Sequence, residues 1–504
     1  MSAAIEADSA ESSSVGVSTI LEPPAALAAL WRGLFGDSEG RLDRGLLFVF
    51  LIVNGLVLFN AVFHDPTVQY DAAGHLAYIA ALAQLHLPTA DESTEFFSAP
   101  LPYVLPAMAK AAGLSLWWAA KLGQMVNVAL SLGITGVLIV LCRSVGGPSD
   151  RGTALIALMC LGTLPVYYKT MAFVRGEPYV AFLTLVAIAA TARTVTSTKQ
   201  FWTIKQSWTE AVLPGVCWGL LVLARLWGVL AAAALLVAVW MTSWRDRSRH
   251  TVNVALAAPL VALVVGGWFY GLLWVSHGSP IAFNRPAAEW WSLSNEPRDF
   301  YTGTGNGRVF TDPIRPSFPN QLIPIFYAET WGDYWGFFSI YGRDRQTKAY
   351  ISGPAFEEAV AAAPPTVETN RFTLNQYLGR MNLLGLLPTA LALLAFGAAA
   401  VRLPAFLRRA SPVTAAEIIP VMAVLVVAVS ALGYVWFLIR FPNPGKGDTI
   451  KATYMLQIFP PLALLIADFV RRIHLSRTDL IIIWGLLMMY NLSAVTTHFM
   501  NIPR

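Results

Sequence analysis

Long apolar runs recur along this chain and are separated by short polar connections. About eleven runs are long enough to cross a bilayer as helices, which takes about 20 residues each. A shorter apolar segment, 100–114, holds three prolines and Lys110, so we expect an interfacial or re-entrant helix there. The pattern predicts an all-α polytopic membrane protein with spans near 46–63, 118–142, 152–173, 178–193, 210–225, 227–244, 251–275, 381–401, 416–439, 453–470 and 478–497.

The composition agrees with this class. The 504 residues are 56% hydrophobic and 13% charged, with a mean hydropathy of +0.55, whereas about a quarter of the residues in a soluble domain are charged. The net charge of +5 therefore reflects membrane topology and gives no nucleic-acid signal. Cys142, Cys160 and Cys217 lie within apolar runs and form neither a metal motif nor a disulfide framework.

Lysine and arginine in the short connections fall consistently on one side if 100–114 does not cross the bilayer. By the positive-inside rule that side is the cytoplasm, which predicts a cytoplasmic N-terminus and an extracytoplasmic C-terminus in the plasma (inner) membrane. No removable signal peptide is expected before the first span. The predicted regions are a mostly disordered cytoplasmic tail (1–45), a membrane region (46–275) with its first outer loop (64–117), an extracytoplasmic loop region (276–380) and a second membrane region (381–504).

Asp71 is the most informative polar residue, because it follows the first span and is predicted at the outer membrane surface. Asp71, His75 and Tyr78 are spaced four and three residues apart and share one face of a helix. The opposite face, which includes Ile79, is predicted to lie in the membrane interface. Asp71 would lie there where a lipid-borne substrate and a water-borne one could meet; the alternative is that it simply caps a helix that begins at Ala72.

Further ionisable residues are predicted on the same outer face. An arginine at a helix end within the membrane region is costly unless it pairs or meets a ligand, and cations there suit a lipid phosphate. The alternative for Arg225 and Lys451 is that they anchor the protein at the headgroups. The predicted set is catalytic Asp71, His75 and Glu177, with Tyr78, Lys169, Arg175, Arg225, Arg440, Lys451 and Tyr454 in substrate binding.

Two further interpretations concern single residues. His75 either orients Asp71 or contacts substrate, or else it only lines the interface. Asp468 lies near the inner end of its span beside Arg471 and Arg472, which favours a structural ion pair.

Several of these stretches together resemble a known enzyme class. The stretches Tyr70-Asp71-Ala72-Ala73-Gly74-His75-Leu76-Ala77-Tyr78 and Phe96-Phe97-Ser98-Ala99-Pro100-Leu101-Pro102-Tyr103 resemble the first outer loop of GT-C glycosyltransferases. The branch with protein O-mannosyltransferases and lipid A aminoarabinose transferases is the most similar. The resemblance covers roughly 46–275 and 381–470, and it continues through Arg175-Gly176-Glu177-Pro178, the run ending at Arg225, and Lys451-Ala452-Thr453-Tyr454.

The resemblance implies a GT-C fold and inverting transfer of a sugar from a polyprenyl-phosphate donor to a lipid, glycan or protein acceptor. Asp71 would be the general base, and the cations would hold the leaving phosphate. Ala72 stands where the family usually has Glu, and Ala99 where it has the first proline of a pair. The first departure leaves the role of a divalent metal open, and no other cofactor is implied. Segment 276–380 matches no acceptor-binding domain.

Two other function classes compete with this interpretation. A transporter or lipid flippase usually places its ionisable residues near the bilayer midplane, on broken helices in repeated halves. Here the predicted charges gather at the outer rim and the halves do not repeat. The remaining alternative is a non-catalytic member of the same fold.

Overall fold

The structure is a computed structural model of the chain. It describes residues 33–36, 41–147, 150–197, 203–339, 342–347, 350–351, 355, 358–359, 362, 366–368, 371–409, 412–445, 447–473 and 477–500. The predicted disordered tail therefore lies largely outside the described residues.

The described part of the chain is mostly helical, as predicted. Ten of its helices are long and apolar enough to cross a membrane, and a pair bent by 67° at a short break makes up to eleven. Each matches a predicted span, so the chain is an integral multi-pass membrane protein. In chain order the helices are α1 (Arg44–Phe63), α2 (Ala72–Ala83), α3 (Leu101–Ala111), α4 (Leu116–Gly146), α5 (Arg151–Gly162), α6 (Pro165–Ala172), α7 (Glu177–Val195), α8 (Ile204–Ala224), α9 (Leu226–Asp246), α10 (Arg249–Ala262), α11 (Trp268–His277), α12 (Arg298–Thr302), α13 (Leu322–Trp331), α14 (Arg371–Ala400), α15 (Leu403–Arg408), α16 (Ala415–Arg440), α17 (Phe459–Arg472) and α18 (Arg477–His498).

The first outer loop forms two short helices. Helix α2 begins at Ala72, as predicted, and α3 occupies the proline-containing segment with 11 residues, too few to cross a bilayer. The predicted membrane-facing side of α2 is wrong at Ile79, which is fully buried against Tyr103 and Ala119. The physical reason is that α3 and α4 cover α2, which shields that face from lipid.

Glycines allow two spans that lead toward the outer loops to pack closely. A Cβ on Gly215 of α8 would lie 2.8 Å from the carbonyl oxygen of Ala258, and a Cβ on Gly219 would lie 3.0 Å from that of Ala262. Small residues four apart let membrane helices approach in this way. The contact fixes the end of α8, where Arg225 follows.

The loop region contains more than coil. Besides α12 and α13 it holds a small antiparallel sheet of three strands, whose middle strand pairs Gly342 with Ile351 on one side and Arg343 with Glu368 on the other. Helix α14 already begins at Arg371, nine residues before the predicted end of the loop region. The strands are β1 (Gly342–Asp344), β2 (Tyr350–Ile351) and β3 (Val367–Glu368).

The predicted sidedness leads to a labelling test on exposed residues at the two ends of the span formed by α10 and α11. An impermeant thiol reagent should label Ser294→Cys in intact cells and should not label Arg249→Cys. Background should be low because Cys142, Cys160 and Cys217 are all buried. Labelling of Arg249→Cys before the cells are opened would reverse the predicted orientation.

Candidate active site

The ends of several helices converge at one end of the bundle. Asp71 precedes α2, Glu177 opens α7, Arg225 joins α8 to α9, and Lys451 precedes the 3-10 turn Ala452–Ile458 that leads into α17. The Nζ atom of Lys451 lies 2.8 Å from Asp71, and Nε of Arg225 lies 3.0 Å from Glu177. Residues far apart in the sequence therefore form one charged cluster, which we call the rim cluster: Asp71, His75, Glu95, Arg175, Glu177, Arg225 and Lys451.

The Asp71 carboxylate does not cap α2. Its backbone is left-handed, with φ 54° and ψ 29°, and its side chain accepts no hydrogen bond from the first turn of the helix. The carboxylate instead accepts a hydrogen bond from Lys451, and 35% of the Asp71 side chain remains exposed. The capping interpretation is therefore wrong.

Lys451 keeps Asp71 ionised. Burial of the carboxyl would raise its pKa, but the Lys451 ammonium and its hydrogen bond outweigh that effect and hold the pKa of Asp71 well below its usual range. At neutral pH the site thus presents a partly exposed carboxylate beside a buried cation.

Aromatic rings hold Lys451 in place. Its Nζ lies 4.8 Å from the ring centroid of Tyr70 and 5.4 Å from that of Tyr454, which suits cation–π attraction. The backbone N–H of Lys451 donates to the Tyr434 hydroxyl at 2.7 Å. Tyr454, predicted in substrate binding, thus lies next to the rim cluster and packs against the Lys451 ammonium.

Two of the three predicted arginines, Arg175 and Arg225, share one carboxylate. Arg175 donates from Nε to Glu177 at 2.7 Å, and Arg225 pairs with the other Glu177 oxygen. Glu177 is fully buried, so its oxygens orient the arginines. The buried Nη1 atoms of Arg175 and Arg225 have no hydrogen-bond partner among the described atoms. Unsatisfied buried donors are costly, so each of these two atoms is a candidate donor to a ligand.

Local sequence explains this convergence. Arg225 is fully extended between α8 and α9, with φ −175°. A Cβ on Gly228 would fall 1.9 Å from the carbonyl oxygen of Leu221, and a Cβ on Gly176 would fall 2.5 Å from that of Ala224. Only glycine fits these two close approaches, which bring Arg175 and Arg225 together.

Glu95 is a site residue that the sequence analysis missed. It accepts from Ser98 Oγ at 2.6 Å and from Arg225 Nη2 at 3.3 Å. Burial raises the pKa of this carboxyl, against the opposing effect of Arg225. The available signal was an acidic residue directly before the aromatic pair Phe96-Phe97, within the loop that carries the family resemblance.

His75 and Tyr78 lie on α2, which follows Asp71, and both are fully buried. His75 Nδ1 is 2.7 Å from the Tyr103 hydroxyl, and the ring of Tyr78 stacks on Tyr103 at 4.2 Å. Burial, with Arg175 and Arg225 nearby, lowers the pKa of His75 well below its usual value, so the ring is neutral. Its Nε2 atom has no partner among the described atoms.

Lys169 and Arg440 do not join the rim cluster. Lys169 is fully buried and donates from Nζ to Glu329 at 2.5 Å, with Asp333 at 3.6 Å. Tyr70 also donates to Glu329. The ion pair between Lys169 and Glu329 therefore helps to position the Tyr70 ring, which packs against the Lys451 ammonium. Arg440 contributes its backbone carbonyl to Ala288, and its guanidinium forms no ion pair with the described part of the chain. The substrate-binding roles of these two residues stay predictions, and neither residue lies in the rim cluster.

An apolar cavity of about 470 Å³ lies between α13, α14, α16 and α17. Tyr434 and Met455 belong to its lining. Tyr434 accepts a hydrogen bond from the backbone of Lys451, and Met455 follows Tyr454 in the sequence, so one wall of the cavity adjoins the rim cluster. Its other lining residues are mainly aliphatic and aromatic and include Phe326, Tyr327, Trp331, Leu391, Ala392, Phe396, Val427, Ala431, Ile458, Phe459, Leu462 and Ile466.

No group of three or more His, Cys, Asp or Glu side chains in the described ranges is arranged to hold a metal ion. The rim carboxylates are instead paired with arginine and lysine.

No family model and no curated protein matches the chain. Solved structures do. ArnT from Cupriavidus metallidurans, bound to undecaprenyl phosphate, is 13% identical; the match covers 88% of this chain and 62% of that one, with a TM-score of 0.43. The apo Archaeoglobus fulgidus oligosaccharyltransferase is 14% identical, covering 91% and 56%, with a TM-score of 0.44.

A third match is AglB from Archaeoglobus fulgidus in complex with an inhibitory peptide and a dolichol-phosphate. It is 13% identical and covers 92% of this chain and 57% of that one, with a TM-score of 0.43. The chain thus spans 56% to 62% of the length of these proteins. The matched proteins are GT-C glycosyltransferases, the class that the sequence resembles. Since all three TM-scores are below 0.5, we take residue roles from this chain alone.

Proposed function

We propose that the protein is a membrane glycosyltransferase that moves a sugar from a polyprenyl-phosphate donor to an acceptor at the extracytoplasmic face. The observation that carries the proposal is the rim cluster itself. An ionised, partly exposed carboxylate lies beside Lys451 and near two arginines with unsatisfied donors, and a largely apolar cavity adjoins them.

The donor fits this arrangement in two parts. The hydrocarbon chain of a polyprenyl phosphate would occupy the 470 Å³ cavity, whose size is typical of ligand pockets. Its phosphate would accept hydrogen bonds from Arg175 and Arg225, whose planar guanidinium groups suit phosphate oxygens. Glu177 and Glu95 would position the arginines.

The acceptor hydroxyl or amine would attack the anomeric carbon while Asp71 takes its proton. The bond between the anomeric carbon and the phosphate oxygen breaks, and the lipid phosphate leaves with the bonding electrons. Lys451 and the arginines would stabilise the charge that develops on the leaving phosphate. A lipid phosphate that accepts a hydrogen bond from Lys451 would weaken the effect of the ammonium on Asp71, which would make the carboxylate more basic.

The decisive experiment incubates purified protein with polyprenyl-phosphate sugars and a cell-envelope extract, and identifies the product by mass spectrometry. A new glycosylated product that requires both components supports the proposal. Movement of a labelled lipid across vesicles without sugar transfer would instead favour the flippase alternative.

The proposed contact between Arg225 and the donor phosphate leads to a prediction about donor binding. Arg225→Lys keeps the charge beside Glu177 but loses the guanidinium fork, so we expect the donor KM to rise about tenfold, the worth of a charge-assisted hydrogen bond of about 1.5 kcal/mol. Arg225→Gln should raise it further. Steady-state kinetics at varied donor concentration measure the effect.

Arg285→Gln is the matched control, since Arg285 lies on the outer loop region and is 35% exposed beside Asp448. Its donor KM should not change. A folded Arg225→Lys protein with an unaltered donor KM would mean that Arg225 only pairs with Glu177 and Glu95.

A further inference from the structure

A second cluster of arginines lies at the opposite end of α17 from the rim cluster. Asp468, whose side chain is 2% exposed, accepts from Arg471 Nη2 at 2.6 Å, from Arg472 Nε at 2.6 Å and from Arg402 Nη1 at 3.4 Å. Helix α17 has 14 residues, so about 20 Å separates its ends. The ion pair predicted between Asp468 and its neighbours Arg471 and Arg472 is confirmed. A third arginine, Arg402 from the turn between α14 and α15, also pairs with Asp468.

These groups are not balanced in charge. One carboxylate holds three guanidinium groups together, and the only further acid near them in the described residues is Asp150, 3.9 Å from Arg471 Nε. Each guanidinium carries five N–H donors, and Asp468 accepts from one nitrogen of each. The side chains of Arg402, Arg471 and Arg472 are 41%, 32% and 38% exposed. Donors therefore remain accessible to an anion from outside.

Exposed apolar side chains border the arginines. Val401 is 75% exposed and precedes Arg402, while Ile473 is 43% exposed and follows Arg472. In a chain with membrane-spanning helices, such surfaces face acyl chains. Arginines beside exposed apolar side chains are complementary to an anionic phospholipid, which has a negative headgroup and acyl chains, and not to a small soluble anion.

We propose that Arg402, Arg471 and Arg472, held in place by Asp468, bind the phosphate of an anionic phospholipid. Zwitterionic lipids carry an ammonium that offsets the phosphate charge, so a cluster with excess positive charge prefers lipids with net negative charge. The proposal does not rest on the sugar-transfer function, since the site is remote from the rim cluster and is tested by binding alone.

The test measures lipid retention by native mass spectrometry on purified protein incubated with phosphatidylglycerol or phosphatidylcholine. Wild-type protein should retain phosphatidylglycerol about tenfold more than phosphatidylcholine, equivalent to roughly 1.4 kcal/mol. The double variant Arg402→Gln/Arg472→Gln should lose that preference. Arg471 is left intact because it also lies near Asp150.

The matched control is Arg408→Gln/Arg409→Gln, which removes the same charge from the neighbouring helix end without touching Asp468. It should retain the wild-type preference. An equal loss in both double variants would mean non-specific surface attraction, and equal retention of the two lipids by wild-type protein would overturn the proposal. So would displacement of phosphatidylglycerol by millimolar inorganic phosphate, which would assign the cluster to a soluble anion.

Discussion

Asp71→Asn should lower sugar transfer by a factor on the order of 10²–10⁴, the usual worth of a positioned base. Asparagine retains the size of the side chain, and it tolerates the left-handed backbone that Asp71 adopts. An amide cannot take the acceptor's proton, so turnover falls while the fold is kept. The rate is measured with saturating donor, alongside the midpoint of thermal unfolding in detergent.

Asp65→Asn provides the control for this substitution. Asp65 is an exposed carboxylate of the same outer loop, and in the described part of the chain its side chain accepts hydrogen bonds from Thr67, so its replacement should leave turnover unchanged. Asp71→Ala should be at least as inactive as the asparagine variant. Normal turnover in Asp71→Asn would place the base elsewhere, and Glu95 would then be the next residue to replace, since Glu177 is enclosed by its two arginines.

Lys169→Met should destabilise the protein by about 3–5 kcal/mol, the effect of removing one partner of a buried ion pair. Lys169 and Glu329 are both fully buried, and Tyr70 donates to the same carboxylate. Without the ammonium, Glu329 must stay charged and unpaired or become protonated. The midpoint of thermal unfolding in detergent should therefore fall markedly.

Two further variants distinguish this effect from a loss of surface charge. Lys205→Met removes a lysine whose side chain is exposed and should leave the midpoint unchanged. Lys169→Met/Glu329→Gln also removes the charge of Glu329 and should recover part of the loss. Asp333, which lies 3.6 Å from Lys169, keeps its hydrogen bonds from the backbone N–H groups of Phe338 and Ser339. If Lys169→Met melts like wild type but raises the donor KM, Lys169 contacts substrate as the sequence first indicated.

The position of Asp71 illustrates both the strength and the limit of sequence reasoning. Its place after the first span, its helical spacing to His75 and its loop motif all follow from local order along the chain, and the structure has α2 begin where expected. Its partner is Lys451, 380 residues away. No local pattern indicates that contact, because it joins the loop before α2 to the segment before the turn Ala452–Ile458, which come together only in the folded chain.

Lys169 and Glu95 show the same limit of sequence reasoning: one was assigned to the site, and the other was missed. Lys169 appears near the outer end of a span and was predicted to bind substrate, yet it pairs with Glu329, 160 residues further along. Glu95 lies in a loop without periodicity and was missed, yet it contacts Arg225. In both cases the partner, not the residue type, determines the role.

The sequence by itself determined the number and place of the membrane spans, the short helices of the first outer loop and the end of the bundle where polar residues gather. Those properties depend on runs of apolar residues, since a helix in lipid satisfies its own backbone hydrogen bonds and needs only enough apolar length. Only the tertiary structure decided which charges are paired, which remain exposed and where a largely apolar cavity opens beside them. Those depend on contacts between residues far apart in the sequence, such as the close approach of Gly176 to Ala224, which places the arginines within reach of Glu177.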